Sequence, residues 1–360
     1  MARKNLTFHL AERPGGDIVP GRTFNLVETD APTTDDLKDG QVLVETLYLS
    51  LDPAMRVWLN DMQSYLPPVA IGEKMRGFAI CKVLASKNPK AKDGDLVFTQ
   101  SGWTEVAIVS EGEQLDVLDL PKGTKTTDAI GAAGMTGLTA YFGLKHIGKP
   151  KARETVVVSG AAGATGSIAG QIAKIYGARV VGITGSDEKC EVLTKELGFD
   201  VALNYKSPTF DEDLVKATPD YIDLYWDNVG GEILEKAIRR AAVHSRFVLC
   251  GNISIYNSIG KDTPGIRNLF TVVTQRVRME GFVIFDYLDE FPEGKKQMGQ
   301  WIVEGKVKGL ETVVKGGLKK ADTAIAQLFS GGNTGKLLVE VKPYEQGVGI
   351  SAMHATQIPV

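Results

Sequence analysis

The chain has 360 residues, which at roughly 150 residues per domain indicates two domains rather than one. Hydrophobic residues at 43% and charged residues at 24% are typical of a globular protein, so wholesale disorder and a fibrous repeat are excluded. With 41 basic and 44 acidic side chains the net charge is -3, and no global positive field attracts a polyphosphate backbone. We therefore expect a folded, soluble protein with no nucleic acid partner.

The cysteines and the amino-terminal segment bear on the cellular compartment. Cys81, Cys190 and Cys250 lie far apart and are odd in number, which argues against a disulfide framework and against a multi-thiolate zinc site. The first 14 residues interleave charged and apolar side chains and contain no apolar core of a secretory signal. No stretch approaches the ~18 uncharged apolar residues of a membrane span. These features predict a cytoplasmic protein with no membrane partner.

The first third of the chain has the texture of a β domain. Short alternating runs, such as residues 42–48 and 79–84, are separated by Gly, Pro, Asp and Asn clusters from Asn5 to about Thr127. This alternation predicts a mostly antiparallel, barrel-like β domain.

From Thr155 onward, apolar strands alternate with helical stretches. The predicted strands span residues 155–160, 179–185, 221–230 and 245–251, and the predicted helices span 167–176, 188–197 and 232–242. Repeated strand–helix alternation indicates a parallel sheet covered on both faces.

The end of the chain is predicted to return to the first domain, because a helical stretch at 321–329 precedes a strand at 336–341. We therefore predict an α/β protein: a Rossmann-type doubly wound parallel sheet at 129–315, and a β-rich substrate domain formed by 1–128 and 316–360.

A glycine-rich segment follows the first strand of this alternation. The sequence GAAGATG at 160–166 stands between the strand and a helical pattern, where glycines permit a tight turn and a close approach of the backbone to a pyrophosphate. The spacing GxxGxxG is a variant of the dinucleotide-binding loop. A glycine-rich turn without a ligand is the alternative, but the alternation that follows favours a dinucleotide. The candidate cofactor contacts are Gly160, Gly163, Ala164 and Gly166.

The end of the second strand favours NADP over NAD. An NAD site places Asp or Glu there to hold the ribose hydroxyls, whereas this strand ends in small neutral residues, Thr184-Gly185-Ser186. Lys189 follows within one helical turn, and a cation there suits a 2′-phosphate, although a solvated surface lysine is the alternative. Asp187 and Glu188 are contrary evidence, unless they serve as the cap and first turn of the next helix.

Several segments together resemble one family, the zinc-independent medium-chain dehydrogenase/reductases, and within it the prostaglandin reductases, plant alkenal double-bond reductases and bacterial curcumin reductases. The segments that carry the resemblance are LSLDPAMR at 49–56, GMTGLTAYFGL at 134–144, GAAGATGSIAGQIAK at 160–174, GSDEK at 185–189, LGFDVALNYK at 197–206, DNVGGE at 227–232, CGNISIYN at 250–257 and NTGK at 333–336. The resemblance implies a GroES-like β domain beside the Rossmann domain, and metal-independent reduction of an activated carbon–carbon double bond by NADPH.

The resemblance also implies roles for particular residues. Lys189 and Tyr205 match the pair that contacts the 2′-phosphate in the family, and Gly163 and Gly166 match the pyrophosphate loop. The positions that line the cofactor correspond to Asn228 and Asn333.

Tyr256 matches the family tyrosine placed near the nicotinamide ribose. It is the candidate catalytic residue, acting on the ribose or on the enolate that forms during conjugate reduction. An ordinary tyrosine in a post-strand turn is the alternative. The sequence departs from the family at Ala54, where many relatives carry tyrosine, and at Thr274, where some relatives carry tyrosine.

No metal site is predicted, because the four histidines are isolated from one another and from the cysteines; they are His9, His146, His244 and His354. The expected reaction is NADPH-dependent hydride transfer to the β-carbon of a small enal or enone, by a homodimer as in relatives. A quinone reductase, a secondary-alcohol dehydrogenase and a non-enzymatic NADPH-binding module are the alternatives.

Overall fold

The computed structural model describes residues 2–259, 261 and 265–344. These residues form two compact units. The terminal unit comprises the chain up to Ile130 together with the segment from Glu311 onward, and the central unit is Gly131–Leu310. His354, named above, lies outside the described residues.

The strands in chain order are β1 Lys4–Leu10, β2 Phe24–Asp30, β3 Val42–Leu51, β4 Ala79–Ser86, β5 Leu96–Thr99, β6 Val106–Val109, β7 Leu115–Val117, β8 Thr155–Ser159, β9 Arg179–Thr184, β10 Val201–Asn204, β11 Ile222–Asp227, β12 Ala241–Leu249, β13 Arg278–Gly281, β14 Glu311–Val314 and β15 Lys336–Glu340. The α-helices are α1 Ala54–Val57, α2 Met135–Phe142, α3 Ala164–Ile175, α4 Asp187–Glu196, α5 Phe210–Ala217, α6 Gly231–Arg239, α7 Leu269–Gln275, α8 Phe291–Val303 and α9 Ala321–Leu328. None of these described helices combines the length and the apolar character needed to cross a membrane.

The terminal unit is built on a mixed sheet in the order β14-β15-β3-β4-β5-β7, with β6 also pairing β3, and β1 pairs β2 beside it. All these pairs are antiparallel except β14 with β15. Strand β3 is buried along nearly its whole length, because it pairs with β15, β4 and β6. Its Leu49 and Leu51 pack in a core that also contains Phe24 and Trp103.

The central unit contains a parallel sheet in the order β10-β9-β8-β11-β12-β13. Numbered within this unit the order is 3-2-1-4-5-6, which is the strand order of the dinucleotide-binding fold. Every residue of β8 is buried, as expected for a β-branched run in a sheet covered on both faces. The predicted fold class is confirmed.

Helix α3 begins at Ala164, three residues before the predicted start at Ser167. The cause is Gly163, whose extended backbone makes it the residue that precedes the first helical turn. Further along the helix, a Cβ on Gly170 would lie 2.0 Å from Cζ of Phe199. The helix therefore packs closely on its neighbours, and the glycine loop leads directly into its amino-terminal turn.

Candidate functional site

The glycine loop joins β8 to α3 at the carboxyl edge of the parallel sheet. Gly160 has a φ of +56°, in the left-handed region that favours glycine. A Cβ on Gly166 would lie only 2.4 Å from the carbonyl oxygen of Gly160, and one on Gly163 would lie 3.1 Å from the same atom. The backbone therefore closes into a compact turn, and this turn leads directly into the amino terminus of the twelve-residue helix α3. Such a turn can hold a pyrophosphate through backbone N–H groups and the helix dipole.

The loop lies where the strand order reverses, since β8 is flanked by β9 on one side and β11 on the other. In open α/β sheets this reversal is where ligands bind. Asn228, directly after β11, donates from Nδ2 to the carbonyl oxygen of Ser159 at 2.7 Å, and its Oδ1 accepts from the Trp226 indole at 3.1 Å. The structure thus brings Asn228 beside the loop candidates: a Cβ on Gly160 would lie 3.3 Å from the Asn228 Cβ.

A buried carboxylate organises the same edge. Asp227 Oδ1 accepts hydrogen bonds from Ser159 Oγ at 2.9 Å, from the N–H of Val229 at 3.1 Å and from the N–H of Gly230 at 2.9 Å. Burial raises the pKa of Asp227, and these hydrogen bonds oppose the rise. Asp227 therefore ties the end of β8 to the turn after β11. Asp227 is not among the candidates that the sequence indicates, although it carries a recognisable signal: it is an acid that ends an apolar strand shortly before a glycine pair.

Lys189 lies in the first turn of α4, after β9, and Tyr205 directly follows β10, the strand that pairs with β9. The Ser186 hydroxyl caps α4 by accepting from the N–H of Lys189 at 3.3 Å. The Tyr205 ring lies against Gly185, where a Cβ would be 3.1 Å from Cε1. Burial, and next the charge of Lys206, lower the pKa of Lys189. A half-buried cation with a second cation near it is an environment that favours a bound anion.

Tyr256 lies in a 3-10 turn after β12, Ile253–Ser258. Its hydroxyl oxygen accepts from the N–H of Asn252 at 3.1 Å. A Cβ on Gly251 would lie 3.2 Å from that oxygen and 3.3 Å from the carbonyl oxygen of Asn228. The hydroxyl is therefore held at the carboxyl ends of β11 and β12. Thr274, by contrast, is exposed on α7 and donates back to the carbonyl oxygen of Thr271 at 3.3 Å.

Asn333 is the one candidate that belongs to the terminal unit, where its Nδ2 donates to the carbonyl oxygen of Gly335 at 2.8 Å. Three residues further along the chain, the Lys336 ammonium is buried and donates to Asp52 Oδ1 at 2.6 Å and to the carbonyl oxygen of Leu51 at 2.8 Å. The segments LSLDPAMR and NTGK are thus joined by an ion pair.

Among the described residues, no group of three or more His, Cys, Asp or Glu side chains is arranged to hold a metal ion. The thiols of Cys81, Cys190 and Cys250 are free, and burial raises the pKa of Cys250 to about 12.

Comparisons with known proteins place this geometry in a family. One family model, described as the N-terminal domain of oxidoreductase, matches residues 7–118, and another, described as zinc-binding dehydrogenase, matches residues 164–301. The NADPH-dependent curcumin reductase of Escherichia coli (strain K12) is 40% identical over 94% of this chain and 97% of its own length. The chain belongs to the medium-chain dehydrogenase/reductase family. The predicted resemblance is therefore confirmed.

Other members of the family are similar over most of their length. The 2-alkenal reductase (NADP(+)-dependent) of Nicotiana tabacum is 42% identical over 83% of this chain and 87% of its own, and prostaglandin reductase 1 of Oryctolagus cuniculus is 41% identical over 87% of each. A crystal structure of CurA in complex with NADPH from Vibrio vulnificus has a TM-score of 0.87 and 37% identity, and the match covers 94% of this chain and 100% of that one.

Proposed function

We propose that this chain reduces the carbon–carbon double bond of α,β-unsaturated aldehydes or ketones with NADPH. The observation that carries the proposal is identity of about 40% over most of both chains with relatives named as curcumin, 2-alkenal and prostaglandin reductases. When bound, NADPH supplies the hydride that adds to the β-carbon of the substrate. The protein binds and orients the cofactor and stabilises the enolate that results.

The cofactor is NADP, as the strand end and Lys189 predict: the relatives are NADP-dependent and a neighbouring structure contains NADPH. The chain fits this cofactor, because a side chain at Gly166 would fill the compact turn after β8. In the proposed arrangement Gly160, Gly163, Ala164 and Gly166 hold the pyrophosphate. Lys189 and Tyr205 hold the 2′-phosphate, and Asn228 and Asn333 line the cofactor.

The test is NADPH consumption by the purified protein with a matched set of substrates: an enal, an enone, the corresponding saturated ketone, and a quinone. We expect turnover of the enal and the enone, with the saturated carbonyl compound as product, and none of the saturated ketone. Faster turnover of the quinone than of every enal and enone would overturn the proposed substrate class, and no NADPH consumption with any of them would favour a binding module.

Tyr256 is proposed to orient the nicotinamide ribose or to support the developing enolate. Replacing Tyr256 with Phe keeps the ring and removes the hydroxyl, so we expect turnover to fall roughly 10- to 100-fold, because an interaction made mainly in the transition state is lost. NADPH affinity, measured by fluorescence titration, should be nearly unchanged. The matched control is Tyr176→Phe, which removes the hydroxyl of an exposed tyrosine on the same unit. Wild-type turnover with normal NADPH binding would make Tyr256 structural.

The reaction is proposed to need no metal ion. Activity should therefore survive exhaustive chelation, and elemental analysis of the active protein should find no stoichiometric zinc. Loss of activity that zinc alone restores would contradict this prediction.

The protein is further proposed to be a cytoplasmic homodimer. In support, β13 pairs with β12 and ends the sheet of the central unit within the described residues, and α7, just before it in the chain, exposes Phe270 at 77% and Val273 at 69%. A sheet edge beside exposed apolar side chains suits pairing with a second copy. Light scattering should give the mass of two chains for the wild type and of one chain for Phe270→Glu.

A further inference from the structure

The first two residues of α4 are acids at a position that would ordinarily select NAD. A carboxylate after the second strand accepts a hydrogen bond from the ribose 2′-hydroxyl and repels a 2′-phosphate. Asp187 and Glu188 stand three and four residues after the end of β9, yet the cofactor is NADP. In the structure, both carboxylates accept hydrogen bonds from nearby groups of the protein.

Each acid is held by a local partner. Hydrogen bonds from the backbone N–H of Glu188 itself and next from the Ser186 hydroxyl lower the pKa of Glu188, an acid in the first turn of α4. Asp187 Oδ1 instead accepts from Nδ2 of Asn204 at 2.9 Å. The contact of Asp187 joins the start of α4 to the end of β10, because Asn204 is the last residue of β10.

Asn204 has a second hydrogen bond on its other side. Its Oδ1 accepts from the backbone N–H of Lys206 at 3.0 Å. The two bonds define the amide orientation, since only Nδ2 can donate to the Asp187 carboxylate and only Oδ1 can accept from an N–H. One side chain thus positions the start of α4 and the segment that carries Tyr205 and Lys206.

Lys206 belongs to the same charged cluster as Lys189. Its Nζ lies 5.9 Å from the centre of the Tyr205 ring, which lies against Gly185 just before α4. Burial and next the charge of Lys206 lower the pKa of Lys189, so the two ammonium groups repel each other. A phosphate dianion placed between two such cations relieves this repulsion and accepts charge-assisted hydrogen bonds.

We propose that Asn204 is a positioning residue for cofactor choice, which restrains the Asp187 carboxylate and presents Lys206 beside Lys189 as a further ligand of the 2′-phosphate. The inference rests on the proposed use of NADPH and adds two residues to it. Its test uses binding alone, so that a failure of the proposed double-bond reduction leaves the result readable.

The test compares dissociation constants for NADPH and NADH, measured by fluorescence titration without any enone, and for 2′,5′-ADP by calorimetry. We expect Lys206→Met to weaken the binding of NADPH and of 2′,5′-ADP about 10-fold and to leave the binding of NADH unchanged, because only the phosphate contact is lost. Lys206→Arg should retain the NADPH preference. Lys195→Met is the matched control, since it removes an exposed lysine paired with Glu191 on α4, and it should change none of the three constants.

Two variants of Asn204 separate its two contacts. Asn204→Asp keeps the acceptor for the Lys206 N–H but places a carboxylate against Asp187, and Asn204→Leu removes both bonds at similar volume. Both should lower the NADPH-to-NADH preference about 10-fold; Asn204→Asp does so because it loses the donor to Asp187 and adds a like charge, while its acceptor for the Lys206 N–H remains. Equal weakening of NADPH and NADH by these variants, or an unchanged preference in both Lys206→Met and Asn204→Asp, would overturn the proposal.

Discussion

Replacing Gly166 with alanine is expected to weaken NADPH binding by at least about 10-fold and to destabilise the protein by about 1–3 kcal/mol, because overpacking forces backbone to move. The new Cβ would lie 2.4 Å from the carbonyl oxygen of Gly160 and 3.0 Å from Cα of Ala161. Both neighbours are backbone atoms of the loop itself, so no side-chain rotation relieves the contact. The loop must open, and the N–H groups proposed to hold the pyrophosphate must move with it.

The control is Gly163→Ala in the same loop. There the Cβ would meet only the carbonyl oxygen of Gly160, at 3.1 Å, and the φ of -79° suits any residue. We expect its free energy of unfolding to stay within about 1 kcal/mol of the wild type. Thermal unfolding and NADPH titration measure both effects. A Gly166→Ala protein with wild-type melting temperature and wild-type NADPH affinity would refute the inferred packing of the loop.

Replacing Asp52 with alanine is expected to destabilise the protein by about 3–5 kcal/mol, because it leaves a buried ammonium without its counter-ion. The Lys336 side chain is 3% exposed, and its remaining contact would be the carbonyl oxygen of Leu51. Burial lowers the pKa of Lys336, and the charge of Asp52 opposes that shift. Removing Asp52 therefore removes the charge that opposes this lowering of the Lys336 pKa.

Two further variants identify the cause of the loss. The double variant Asp52→Ala with Lys336→Met should recover much of the stability, since it removes the buried charge together with its partner. Asp30→Ala, which breaks an exposed ion pair with Lys4 in the same unit, should cost less than about 1 kcal/mol. Urea unfolding measures all three. Equal losses for Asp52→Ala and Asp30→Ala would show that burial adds nothing to the pair.

The parallel sheet, its glycine loop and the NADP preference follow from short segments read by themselves. The run at 155–158 is β-branched and uninterrupted, and the glycines at 160, 163 and 166 stand between it and a helical pattern. Backbone conformation, apolar periodicity and the steric freedom of glycine are local properties, so they can be recognised in a single sequence. For the same reason the error in the start of α3 is small and lies at the glycine cap.

What only the tertiary structure decided is which polar groups meet. Asp187 counted against NADP in the sequence, and its partner Asn204 stands 17 residues away. Asp52 and Lys336 are separated by 284 residues and meet because β15 pairs with β3. A hydrogen bond or ion pair between distant residues depends on strand order and register, which no local pattern encodes. The sequence therefore determined the fold, the loop and the class of cofactor, whereas the folded chain decided how its acids and lysines are paired.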